Sequence, residues 1–161
     1  CDLTIAAENA VFAQPEVRHG SNTSFMWTLL GGYKNALRYG LTGDHIDAQE
    51  ALRIGLVVKV VPAEQLIDEC FNLVERIAHV PPETVKINLQ VATMGLEMMG
   101  LRDALTFDSQ MSAPAHIMLR EELRKPLDEA RTNKGIREYL QMRDGPFQPE
   151  PFGPKSKKNP E

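Results

Sequence analysis

Pro62 divides the sequence in two. Before it lie all the segments whose apolar residues alternate or cluster as they do in strands, and after it the apolar patterns have helical spacing. Residues 2–6 alternate polar and apolar and read as a half-buried strand. Glu8-Asn9-Ala10 reads as a turn, and residues 11–13 as a second short strand stopped by Pro15. Residues 56–61 are rich in β-branched side chains and form the third strand, ended by Pro62 itself. Between them, residues 24–39 read as helical with an interruption at Gly31-Gly32. Asp47-Ala48-Gln49-Glu50 is a capping box in which each end can satisfy the other's backbone, and its helix stops at Gly55.

Beyond Pro62, Leu66, Cys70, Leu73, Val74 and Ile77 share one helix face, and Val85, Leu89, Ala92, Leu96 and Met99 share another. Pro81-Pro82 separates the two. Leu101, Ala104, Leu105 and Met111 begin a third helix, and Ile136, Tyr139 and Leu140 mark a last one after Gly135. From Asp144 onward, prolines at 146, 149, 151, 154 and 160 and a Lys-Ser-Lys-Lys run at 155–158 favour an extended tail. The chain thus divides into residues 1–62, 63–145 and 146–161. Three short strands are too few for a sheet covered on both faces, so this α/β chain expects partners from outside itself. On its own it is expected to be poorly stable. Because it opens at Cys1 directly into an apolar strand, without an initiator methionine, the expectation is a C-terminal half to two-thirds of a longer subunit.

Composition excludes more than it assigns. A net charge of -4 and a pI near 5.6 argue against a nucleic-acid partner, which needs a concentrated cationic face. No apolar run approaches the ~20 residues needed to cross a bilayer, and no charged-then-apolar leader opens the sequence. Cys1 and Cys70 have neither metal-ligand spacing nor the makings of a disulfide framework, which suits a reducing cytoplasm. His19, His45, His79 and His116 are scattered without ligand spacing, so no metal is expected.

Three motifs in order resemble one family. Residues 1–17, with Cys1-Asp2 leading a strand and Ala10-Val11-Phe12-Ala13-Gln14-Pro15-Glu16 following, are similar to the segment after the glycine-rich helix of the crotonase (enoyl-CoA hydratase/isomerase) family. Leu41-Thr42-Gly43-Asp44, then Asp47-Ala48-Gln49-Glu50-Ala51 and Gly55-Leu56-Val57, resemble its second motif. Asn133-Lys134-Gly135 through Tyr139-Leu140 and Arg143 resembles its C-terminal helix. The resemblance implies the C-terminal part of a crotonase-like spiral of ββα units, then a helical region that makes trimers, often paired into hexamers. It implies acyl-CoA thioester substrates and no further cofactor. It also implies a thioester enolate held by two backbone N–H groups, with carboxylates moving protons or water.

By that resemblance Glu16 is the catalytic acid/base; the bland alternative is that Pro15-Glu16 only caps a helix after a strand. The oxyanion donors and a second glutamate belong to residues preceding Cys1, so this chain alone is expected to be inactive. Residues 19–27 depart from the family's Pro-Gly-x-Gly-Gly pattern. One reading makes His19, Ser21, Thr23, Phe25 and Trp27 the lining of an altered acyl pocket. The other makes Ser21 or Thr23 a helix N-cap and puts Trp27 in the core. His19 with Ser21 also has the composition of a nucleophile pair, without a third orienting residue. Lys86, and Arg143 from a neighbouring subunit, are candidates for contact with CoA, each with surface solvation as the alternative. Met94-Gly95-Leu96-Glu97-Met98-Met99 reads as core or subunit interface. The expected activity is enoyl-CoA hydration. The alternatives are enoyl-CoA Δ-isomerisation or another crotonase-type reaction, and a truncated crotonase-like assembly protein without catalysis.

Overall fold

Two small sheets order the first 61 residues of the computed structural model, which describes residues 1–151. Strand β1 (Ile5–Ala7) runs parallel to β4 (Lys59–Val61), with Ala6 opposite Val60. Strand β2 (Val11–Phe12) pairs antiparallel with β3 (Ile46–Asp47), a strand absent from the sequence reading. The β-branched run at 56–61 is strand only at its end. Leu56 and Val57 instead donate their N–H groups to the Ala51 carbonyl, closing the preceding helix, and Val58 donates to Thr4.

Helix α1 (Phe25–Gly31) is capped by Ser24, whose hydroxyl accepts from the Met26 N–H at 3.3 Å. The cap is therefore Ser24, one residue beyond the nearer of the two expected. Gly32 breaks the helix, as its sequence implied, and α2 (Tyr33–Thr42) follows. Helix α3 (Ala48–Arg53) begins with Asp47 accepting from the Glu50 N–H at 2.8 Å. The return half of the expected capping box is not made. The Glu50 carboxylate turns to the buried Tyr39 hydroxyl and to Arg53, which donates from Nε and Nη2 at 2.6 Å each. The Arg53 hydrogen bonds hold Glu50 below its ordinary carboxylate range, and burial together with Glu50 pushes Tyr39 up to about 12. Ala6, Tyr39, Ile46, Ala48, Ala51, Ile54 and Val57 form the core, with Phe12 and Trp27 packed against it.

The remaining chain is helical: α4 (Leu66–Ala78), α5 (Pro82–Met98), α6 (Leu101–Ile117), α7 (Glu121–Glu129), a π-turn at Ala130–Lys134, and α8 (Ile136–Asp144). The α4 face carrying Leu66, Cys70, Leu73 and Ile77 is half-buried, and α4 packs against β1. On α5 and α6 most of the large apolar residues face outward, while Val85, Leu96, Leu101 and Met111 are half-buried. Val91 is 68% exposed, Met98 83% and Phe107 62%. No helix among the described residues is long and apolar enough to cross a membrane. The stretch 146–151, expected to open an extended tail, is tied down: a short 3-10 turn (Gly145–Phe147) leads to Glu150, which is buried. The lysine run at 155–158 lies outside the described residues.

Candidate functional site

The 3-10 turn at Pro15–His19 carries Glu16 and is held from several sides. Pro15 presets its first position. Gly20 ends it at a φ of 79°, where a Cβ would sit 3.2 Å from the Ala115 carbonyl oxygen on α6. Gly43, at a φ of 69°, lies so close that a Cβ there would come within 3.1 Å of the Pro15 Cα. Arg18 anchors the turn from beneath, its side chain 1% exposed. It donates from Nε to the Thr42 carbonyl at 2.8 Å and from Nη1 to Asp144 at 3.2 Å. From Nη2 it reaches Asp44 at 3.2 Å and Glu150 at 3.1 Å, and its guanidinium lies 4.1 Å from the Phe147 ring centroid. Burial pushes Asp144 upward, but hydrogen bonds from Arg143 and Arg18 outweigh it and hold the carboxyl below its ordinary range. Glu150 behaves likewise: burial opposes ionisation, and the His45 N–H, the His45 ring and Arg18 override it.

Above this anchor, Glu16, His19, Gly20, Ser21, Ser112, His116 and Tyr139 line a cavity of about 260 Å³. Glu16 is exposed at its edge. His19 is buried, with Nδ1 3.0 Å from the Tyr139 hydroxyl. Its Nε2 is enclosed with no hydrogen-bond partner among the described residues; the Asp128 carboxylate lies 3.7 Å away, beyond hydrogen-bond reach. Burial, ahead of every neighbouring charge, lowers His19 below the usual imidazole range and favours its neutral form. His116 approaches it edge-on, ring centroids 5.9 Å apart.

Of the residues expected to line an acyl pocket, His19 and Ser21 meet Glu16 at this cavity. Thr23 donates instead to Gln14 Oε1 at 3.1 Å. The Phe25 N–H donates to Asp108 at 3.2 Å, and Trp27 packs on the core with its ring 6.2 Å from Tyr39. Neither ring lines the cavity that Glu16 edges. His19 and Ser21 do not pair as nucleophile and base, since the Ser21 hydroxyl donates to the Asn22 carbonyl and His19 Nδ1 faces Tyr139. The Arg143 side chain is 8% exposed and forks onto Asp144 at 2.8 and 3.0 Å, within its own chain. Lys86 lies apart, on a groove of about 700 Å³ bordered by Ile77, Val80, Val85 and Leu89. Residues that sequence reasoning missed include Arg18, Glu150 and Asp108. Asp108, from α6, accepts from Asn22 Nδ2 and fixes the loop between Glu16 and α1. Its only sequence signal is a lone acid on an otherwise mixed helix face.

The family model for enoyl-CoA hydratase/isomerase matches residues 1–149. A probable mitochondrial enoyl-CoA hydratase of Dictyostelium discoideum is 35% identical over 116 residues, 69% of this chain and 41% of that protein. A short-chain-enoyl-CoA hydratase of Clostridium acetobutylicum is 37% identical over 114 residues, 68% of this chain and 43% of that one. The crystal structure of an enoyl-CoA hydratase/isomerase from Xanthobacter autotrophicus superposes with a TM-score of 0.80 at 27% identity, covering 91% of this chain and 55% of its own. The chain therefore spans less than half the length of these two relatives, while the crotonase-like fold and the family match extend over nearly all of it. On the strength of that match, this chain belongs to the enoyl-CoA hydratase/isomerase family.

Proposed function

We propose that the full-length product containing this chain adds water to 2-enoyl-CoA thioesters, with Glu16 as acid/base. The hydroxyl goes to C3 and the proton to C2, while the thioester oxygen carries the developing charge on amide donors contributed by residues outside this chain. The observation that supports this reading is the state of Glu16. It stands exposed on a turn fixed by Arg18, at the edge of a cavity, and its carboxylate makes no hydrogen bond or ion pair among the described residues. A carboxylate free of structural partners on a rigid mount is suited to proton transfer. No cofactor beyond the thioester is invoked.

A second reading uses the same residue. Glu16 is the carboxylate that the described residues bring to this cavity. A single carboxylate suffices to carry a proton between C4 and C2 of a 3-enoyl thioester, which is isomerisation. The outward apolar residues of α5 and α6 also fit burial against further subunits, in the trimers or hexamers the family forms.

The test is Glu16→Gln in the full-length product, with 2-enoyl- and 3-enoyl-CoA as alternative substrates. Turnover should fall about 10²–10⁴-fold while thioester binding survives. Unchanged turnover would remove Glu16 from the chemistry. Weak or absent acyl-CoA binding by the parent protein would leave a non-catalytic assembly role.

A further inference from the structure

We infer that the cavity beside Glu16 takes an acyl group bearing a hydroxyl beyond its double bond, and that His19 is the positioning residue for the cavity wall that binds this hydroxyl. The inference rests on the acyl-CoA reading above and narrows its substrate class.

Apart from Gly20, every lining residue brings a polar side chain: Glu16, His19, Ser21, Ser112, His116 and Tyr139. A plain alkyl tail can pack on the carbon atoms of these side chains but leaves their polar atoms without a hydrogen bond, which a substituted tail can supply. The volume of about 260 Å³ suits a short tail. A water molecule occupies about 30 Å³ in the liquid, so the space holds roughly eight or nine such units.

Charge and hydrogen-bond direction select the substituent. A carboxylate tail would meet Glu16 in the same cavity, with no lysine or arginine among the lining residues; behind His19, Asp128 is paired with Arg131. A neutral group avoids that conflict. The Asp128 carboxylate, 3.7 Å from Nε2, favours the His19 proton on that nitrogen, which leaves Nδ1 to accept from the Tyr139 hydroxyl 3.0 Å away. With its proton directed at His19, the Tyr139 oxygen acts as an acceptor, shared between Arg143 and one further donor. The Ser112 hydroxyl, exposed on α6 at the same cavity, supplies a donor. A substrate hydroxyl matches both, since it donates and accepts at one atom, and a ketone matches only the donor.

The experiment compares three five-carbon thioesters on the full-length product: 2-pentenoyl-CoA, 5-hydroxy-2-pentenoyl-CoA and glutaconyl-CoA, the last ending in a carboxylate. The expected kcat/KM for the hydroxylated substrate exceeds that for the alkyl one by roughly three- to tenfold, the reach of one or two net hydrogen bonds, with glutaconyl-CoA last. Ser112→Ala, at an exposed position, should lower the ratio of hydroxylated to alkyl kcat/KM. His19→Leu should collapse it to about one, whereas a purely structural lesion would lower both substrates together. Turnover of 2-pentenoyl-CoA with no preference for the hydroxyl, or a ratio untouched in both variants, overturns the inference and spares the acyl-CoA reading. Failure to bind or turn over any of the three overturns both.

Discussion

Replacing Arg18 with methionine keeps the aliphatic stem and removes the guanidinium. The loss falls on four acceptors: the Thr42 carbonyl and the carboxylates of Asp44, Asp144 and Glu150, whose side chains are 11%, 10% and 0% exposed. They are not equally stranded. Asp144 keeps its fork to Arg143, and Glu150 keeps the His45 N–H and ring nitrogen, each at 2.7 Å, and Gln148. Asp44 keeps no side-chain cation, and the Thr42 carbonyl loses its side-chain donor. Breaking one buried ion pair costs about 3–5 kcal/mol, and an abandoned buried acceptor about 1–3 more. The expected loss is therefore about 4–8 kcal/mol, a large part of the ~5–15 kcal/mol that holds a typical domain together. Urea unfolding of the full-length product at pH 7 measures it directly. The sign of the pH dependence follows from the carboxylates. Asp144 and Glu150 are held below their ordinary values, so their contribution is present above about pH 4–5 and fades as pH falls through their lowered folded values. The deficit of Arg18→Met should accordingly shrink in acid, where the stranded groups protonate. A loss below about 1 kcal/mol, or a deficit identical at pH 7 and pH 4, would refute the network as a source of stability.

Three further outcomes follow from the same geometry. Gly20→Ala should destabilise by about 1–2 kcal/mol through its left-handed backbone and lower kcat more than it raises KM, because the contact with the Ala115 carbonyl moves the turn under Glu16; steady-state kinetics with unchanged kcat would count against that. Burial keeps His19 below the usual imidazole value, so the stability it contributes is present above about pH 6.5 and lost as pH falls; His19→Gln should flatten the stability profile below about pH 6.5, and an unaltered slope would contradict the assignment. Val91→Glu with Met98→Glu should shift the full-length product to smaller assemblies in light scattering, while an unchanged mass would exclude this face from subunit contacts.

Sequence reading captured what local chemistry dictates. Gly31-Gly32 breaks a helix because Gly32 adopts a φ of 78°, and Pro81-Pro82 opens one, and both are visible in the residues themselves. It missed elements whose signal is tertiary. Strand β3 is two residues long and exists because Phe12 lies opposite Ile46. Helix α7 contains Pro126, which reads as a breaker, yet the helix persists across it. Glu50 looked like the far end of a capping box, but a buried tyrosine and an arginine offered it stronger partners. At the site, Glu16 and His19 were legible from one short motif. Ser112, His116 and Tyr139 come from helices roughly a hundred residues away, and no periodicity in the sequence announces that they meet there.

The span of the Arg18 contacts bears on synthesis. Arg18 reaches partners 126 and 132 positions further along the chain. Translation proceeds from the N-terminus at about 5–20 residues per second, so this arginine waits many seconds for two of the three acids that pair with it, Asp44 being the early one. A ribosome that stops before residue 144 would release a product whose Arg18 guanidinium can meet the Thr42 carbonyl and Asp44 but lacks Asp144 and Glu150. Completion of the chain is thus what gives the turn bearing Glu16 its full set of anchoring contacts.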